Sequence, residues 1–171
     1  IVSALGAAVV RGFSIEGIPA TAKHFLGDGA TKSGIDQGNV TGSIQDLIDP
    51  HAVAYEGVFA ENVASVMASF NSINGQKVHG SHRVLTQLLR NELGFDGLLV
   101  SDWNGIGQVL GCTNASCPKA FNAGVDMIMA PEDWRNLKTN ILRQVESGEI
   151  PLERLDVAVS RVLAFKIRSG V

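Results

Sequence analysis

Four short stretches, Ile18 to Phe25, Ala64 to Phe70, Gly97 to Trp103 and Val125 to Ala130, are almost continuous in apolar and small residues. A strand with one wetted face alternates apolar and polar side chains. A strand covered on both faces does not, so these stretches read as parallel strands sandwiched by helices. Helical periodicity fills the intervals. Asp46 to Asn62 is one such segment. Ser81 to Leu93 is another, with Val84, Leu85, Leu88 and Leu89 on one face, Ser81 as N-cap and Gly94 as the stop. Cys117 to Ala123 is a short one, and Pro131 and Pro151 stand where a first helical turn begins. The helix after Pro151 sets Leu152, Leu155, Val159, Val162 and Leu163 on a stripe expected to be buried. Strand then helix, repeated, predicts a parallel α/β fold.

The loops that follow the strands, Gly27 to Gly42 and Asn71 to Gly80, are long and rich in Gly, Asp, Asn and Ser, whereas the returning connections are tight. A (β/α) barrel carries its site on the loops at the carboxyl ends of its strands, and a doubly wound sheet does so at a switch point. No G-x-G-x-x-G run follows a strand, which disfavours a dinucleotide fold. Four strand–helix units in 171 residues amount to about half of a barrel, which takes roughly 250. The expected fold class is therefore α/β, a partial (β/α)8 TIM-type barrel with long catalytic loops. Ile1 to Phe13 reads like the middle of a buried helix, and the chain stops just after another. With no initiator Met and no basic leader, the expectation is an internal piece of a longer polypeptide.

The length suffices for a sizeable core. A net charge of −3 gives no electrostatic reason to expect nucleic acid or an anionic membrane as partner. No apolar run is long enough to span a bilayer. Cys112 and Cys117 lie in one loop. A local disulfide and a pair of free thiols both fit the sequence, but two cysteines without a nearby His do not make a zinc ligand set.

Two constellations carry chemistry. In Thr21-Ala22-Lys23-His24-Phe25, a Lys and a His close an apolar strand ahead of the Gly-rich run Gly27-Asp28-Gly29. Facing a cleft they would bind sugar hydroxyls; facing solvent they are an ordinary Lys and a His bonded into its loop. In Leu98-Leu99-Val100-Ser101-Asp102-Trp103, a carboxylate sits directly at the end of an apolar strand with an indole beside it. Asp102 ionised near neutrality can attack an anomeric carbon, and Trp103 can stack on a sugar ring. The alternative is an Asp that caps the turn Trp103-Asn104-Gly105. Asp28 reads as a turn-former, Asp126 as structural, and His79 and His82 as capping, surface or cleft residues.

The runs Ala22 to Gly29, Ser69 to Gly75, Leu88 to Trp103 and Ala123 to Met129 together resemble glycoside hydrolase family 3, in the right order and through essentially the whole chain. The pairing of Lys23-His24-Phe25 and Gly27-Asp28-Gly29 with Gly94-Phe95-Asp96-Gly97 and Ser101-Asp102-Trp103 is its specific mark. It resembles the β-glucosidase and exo-β-glucanase branch most. The N-acetylglucosaminidase branch carries a KHFPGHG-like loop, where this chain has KHFLGDG.

The resemblance implies a retaining glycosidase that releases β-D-glucose from non-reducing ends, with Asp102 as nucleophile. It implies that Lys23, His24 and Trp103 bind substrate, and that no metal or organic cofactor is used. It further implies that these residues are the second half of the barrel, and that the acid/base carboxylate lies in a second domain of the same polypeptide. The piece alone is then expected to be inactive, and a periplasmic or secreted location follows from the same likeness. The chain departs at Phe70, where many members have a Tyr whose phenol can touch the nucleophile. Three other readings remain on sequence grounds: an N-acetyl-β-glucosaminidase of this family, a barrel lyase or aldolase using Lys23 as a Schiff base, and a non-catalytic carbohydrate-binding barrel.

Overall fold

The computed structural model describes residues 1–171. Helix α1 (Val2–Ile15) leads into β1 (Thr21–Phe25). The long loop after β1 contains β2 (Asn39–Val40) and ends at α2 (Ile44–Leu47). A π-turn over Ile48–Ala52 joins α2 to α3 (Val53–Ala60). Strand β3 (Ser65–Ala68) is followed by β4 (Ser72–Ile73) and β5 (Gln76–Lys77), then by a π-wound helix at Arg83–Glu92. Strand β6 (Leu98–Val100), α4 (Pro118–Ala123), α5 (Trp134–Glu146) and α6 (Leu152–Arg168) complete the chain.

The main sheet runs β1-β3-β6, all parallel, with Thr21 opposite Ser65 and Ser65 opposite Leu98. Each strand lies beside the one before it in the chain, as in a barrel wall. A doubly wound sheet would reverse its order at a switch point. The strands bury Val66, Ala68, Leu98 and Leu99, and the π-wound helix turns Val84, Leu85, Leu88 and Leu89 onto them. Each such side chain contributes roughly 1.5–3 kcal/mol by leaving water. Ser81 accepts the Val84 N–H through Oγ at 3.4 Å, and Gly94 leaves the helix at φ 71°, as the sequence predicts for its two ends.

Four expectations need correction. The stretch Val125 to Ala130 is not a full strand; its ladder pairing with β6 is the single bridge Val100–Met127. The cause is Asp126, whose carboxylate accepts the Leu99 N–H at 3.0 Å, in the place of a ladder carbonyl. The helix expected over Asp46 to Asn62 starts earlier, capped by Ser43 in a reciprocal pair with Asp46, and is broken at Pro50. Proline has no N–H to give, and the π-turn absorbs the gap. On α6 Arg154 and Arg161 turn inward to Asp126 and Ala158 is buried; of the expected stripe Leu155 and Val162 are half-buried, while Leu152, Val159 and Leu163 stay exposed. On α1 only Val10 is buried.

The loops after β1 and β3 are also more ordered than their composition suggests. β4 and β5 form a hairpin closed by Asn74 and Gly75, at φ 49° and 82°. Two consecutive residues in the left-handed region make the tight hairpin turn that Asn-Gly favours. β2 pairs with β4 in parallel, so the two loops share one small sheet over the carboxyl end of the main one.

Candidate active site

Asp102 stands two residues beyond the end of β6, where the ladder has stopped. Its backbone is held from several directions. The N–H donates to His79 Nε2 at 2.9 Å. The carbonyl accepts Ser101 Oγ–H at 2.9 Å and the Gly105 N–H at 3.0 Å. Ser101 Oγ in turn accepts the Met129 N–H at 2.9 Å, which ties the turn to the segment after Asp126. The carboxylate is then divided between two tasks. Oδ1 accepts the Trp103 N–H at 2.7 Å, and Oδ2 faces His24 Nε2 at 3.6 Å. The Asp102 side chain is 16% exposed, so it is shielded but reachable.

His24 closes β1 and bridges two acids. Its Nδ1–H donates to Asp28 Oδ2 at 3.0 Å, while Nε2 points at Asp102. Held that way, a neutral ring offers a lone pair at Nε2 and a protonated ring offers an N–H. Asp28 therefore orients an imidazole as well as starting the turn Asp28–Ala30. Lys23 is exposed at the margin. It borders a polar cavity of about 320 Å³ lined also by His24, Asp28 and His51. It equally borders an apolar groove of about 550 Å³ between α1, β1 and α3, and Asp102 lines neither of the two. Trp103 is 56% exposed, with an indole face available to a ring. The structure thus gathers Asp102, Trp103 and His24, with Lys23 at the edge.

His79 is the residue whose role the sequence left open among cap, surface and cleft. It is fully buried, one element away in the turn Val78–Gly80, and Phe70 packs on its ring at 5.8 Å. Burial, and then the nearby Lys77 charge, push its pKa down to about 4. The ring is consequently neutral and accepts through Nε2. Lys77 itself fastens the two loops by donating to Phe70 O at 2.9 Å and Gln37 O at 3.1 Å. Nothing in the sequence separates His79 from His82; only the approach of the β3 and β6 loops does. Phe70 supplies an apolar wall to His79.

Behind the sheet, Asp126 is wholly buried and meets Arg90 at 2.7 Å, Arg154 at 2.9 Å and Arg161 at 3.4 Å. It is a structural acid, as its position in the sequence suggests. Burial lowers the Arg90 pKa to about 10 despite the adjacent carboxylate. Cys112 and Cys117 are joined as a disulfide in the loop that follows the Asp102 turn.

The sequence model of the glycosyl hydrolase family 3 N terminal domain matches residues 1–165. The chain belongs to this family. Among curated proteins of the family, the lysosomal beta glucosidase of Dictyostelium discoideum is 30% identical over all of this chain and 23% of its own length. The periplasmic beta-glucosidase of Salmonella typhimurium is 30% identical, covering 90% of the chain and 20% of the relative. Among solved structures, an exo-1,3/1,4-beta-glucanase from a Pseudoalteromonas species is 48% identical, with a TM-score of 0.87 over 90% of this chain and 25% of that one. The beta-glucosidase of Listeria innocua in complex with glucose is 27% identical, with a TM-score of 0.86 over 97% of this chain and 24% of that one. The chain therefore spans a quarter or less of the length of these family 3 relatives, and its α/β fold with a parallel sheet is theirs.

Proposed function

We propose that the protein is part of a retaining exo-acting β-glucosidase or exo-β-glucanase, with Asp102 as its nucleophile. The observation that carries this reading is the division of the Asp102 carboxylate. One oxygen is tied to the Trp103 N–H, and the other is turned toward His24 and the mouth of the sheet. In the first step Oδ2 bonds to the anomeric carbon as the glycosidic carbon–oxygen bond breaks, and an acid protonates the departing oxygen. In the second step water, deprotonated by the same group, attacks that carbon. The ester bond to Asp102 breaks and β-glucose leaves.

His24 and Lys23 bind hydroxyls of the terminal glucosyl unit, and Trp103 provides the stacking platform. The names of the relatives support glucosides as substrates, and so does a loop in which Asp28, rather than a histidine, follows Gly27. A retaining pair of carboxyl groups sits about 5–5.5 Å apart. Asp28, the acid linked to Asp102 in this chain, has the His24 ring between them. We assign the acid/base to a carboxylate outside residues 1–171, in a second domain. The disulfide and the lysosomal and periplasmic relatives support work in an exported compartment.

The test is Asp102→Ala in the full-length enzyme, with an aryl β-glucoside carrying a good leaving group. Turnover is expected to vanish and to return in part with azide, giving α-glucosyl azide. Wild-type turnover without azide would remove Asp102 from the role.

A further inference from the structure

We propose that His79 is a positioning residue for Asp102, taking the aspartate's backbone N–H so that its carboxylate meets the anomeric carbon at the right height and tilt. The proposal rests on the reading of Asp102 as nucleophile. Beyond Val100 the main sheet no longer pairs with β3, and the Asp102 N–H has no strand partner. His79 supplies one from the loop after β3, at 2.9 Å. The ring is fully buried, and with Nε2 accepting, its single proton sits on Nδ1.

The neighbouring turn is shaped around this ring. A Cβ at Gly105 would stand 2.4 Å from His79 Nε2, so only glycine lets the Asp102 turn close on the histidine. With the N–H held by His79 and the carbonyl by Ser101 and Gly105, the backbone from which the carboxylate projects is held on both sides. Oδ1 caps Trp103 and Oδ2 is left for chemistry. Removing the acceptor strands a part-buried N–H and frees the peptide to turn. A displacement of roughly 1 Å at a reacting atom costs on the order of 100-fold in rate.

The experiment compares His79→Leu in two backgrounds of the full-length enzyme, wild type and Asp102→Ala, using 2,4-dinitrophenyl β-glucoside with and without azide. In the second background an azide nitrogen bonds to the anomeric carbon while the bond to the phenolate oxygen breaks, and the electron pair leaves with dinitrophenolate. Azide is not held by His79. The expected result is a fall in kcat of about 100-fold in the wild-type background, with KM changed less than about threefold. The azide-rescued rate is expected to fall less than about threefold. His79→Gln, whose amide oxygen reaches the place of Nε2, is expected to recover at least about tenfold of the loss.

An equal loss in both backgrounds would make His79 merely structural and overturn the proposal. So would no loss, or a folded His79→Gln as impaired as His79→Leu. If His79→Leu does not fold, His79→Met, of similar volume and with only a weak acceptor, takes its place in the same comparison. Failure of the Asp102 reading shows separately, as an Asp102→Ala enzyme that turns over without azide.

Discussion

At the scale of single residues, Asp102 and Trp103 stand at the end of an apolar run that fits either a cleft carboxylate or a turn cap, and the structure sets them beyond the carboxyl end of β6. Lys23 and His24, adjacent in sequence, do not share one environment. His24 is clasped between Asp28 and Asp102, while Lys23 lies exposed. Losing a hydrogen bond with a charged partner costs about 1.5–3 kcal/mol. His24→Ala and Lys23→Ala are each expected to lower kcat/KM on an aryl β-glucoside by roughly 10- to 100-fold. Unchanged steady-state kinetics in both variants would return the pair to a structural role. Asp28 and His79 were not legible in this way. A turn-forming Asp that also orients a ring, and a His that accepts a backbone N–H from another loop, leave no local pattern, because both partners come from elsewhere in the fold.

Among the elements, the helix at Arg83–Glu92 was readable in its apolar face, its cap and its glycine stop, which agree with one another, but not in its π winding. Helix α6 was readable as a helix but not in its facing. Periodicity marks Leu152, Leu155, Val159, Val162 and Leu163 as one apolar stripe, yet Leu152, Val159 and Leu163 stay exposed and Arg154 and Arg161 turn inward to a buried carboxylate. A buried acid that recruits three arginines outweighs a stripe of which Leu155 alone packs on the small cluster of Phe121, Ile150 and Ala158. The same acid explains why the fourth strand shrinks to a bridge. Asp126 thereby joins β6, the π-wound helix and α6. Asp126→Asn keeps its shape but strands those cations, at an expected cost of about 3–5 kcal/mol in stability. Urea denaturation of the full-length enzyme measures it, and a loss under about 1 kcal/mol would show that the network is not what binds these elements together.

Over the whole molecule, strand order and the long carboxyl-end loops were legible as one parallel arrangement, whereas the small sheet joining those loops was not, each of its strands being two residues long. That sheet matters because it seats His79 under Asp102. It also makes stability sensitive to pH. The His79 pKa is held down to about 4 from 6.5. Between these values the unfolded chain binds a proton that the folded chain refuses, so stability falls as pH falls from 6.5 toward 4. The full effect is about 3 kcal/mol. Urea midpoints of the wild type are expected to drop more steeply over that window than those of His79→Gln. Parallel pH profiles would mean that the buried ring is not resisting protonation.

The chemistry itself is tested most directly by trapping the intermediate. The full-length enzyme is incubated with 2,4-dinitrophenyl 2-deoxy-2-fluoro-β-glucoside, and its peptides are sequenced by mass spectrometry. The account predicts a single fluoroglucosyl ester on the carboxylate of Asp102, between Ser101 and Trp103. A label on another carboxylate, or steady cleavage of natural substrate by an enzyme whose Asp102 stays unlabelled while a different residue is esterified, would contradict it.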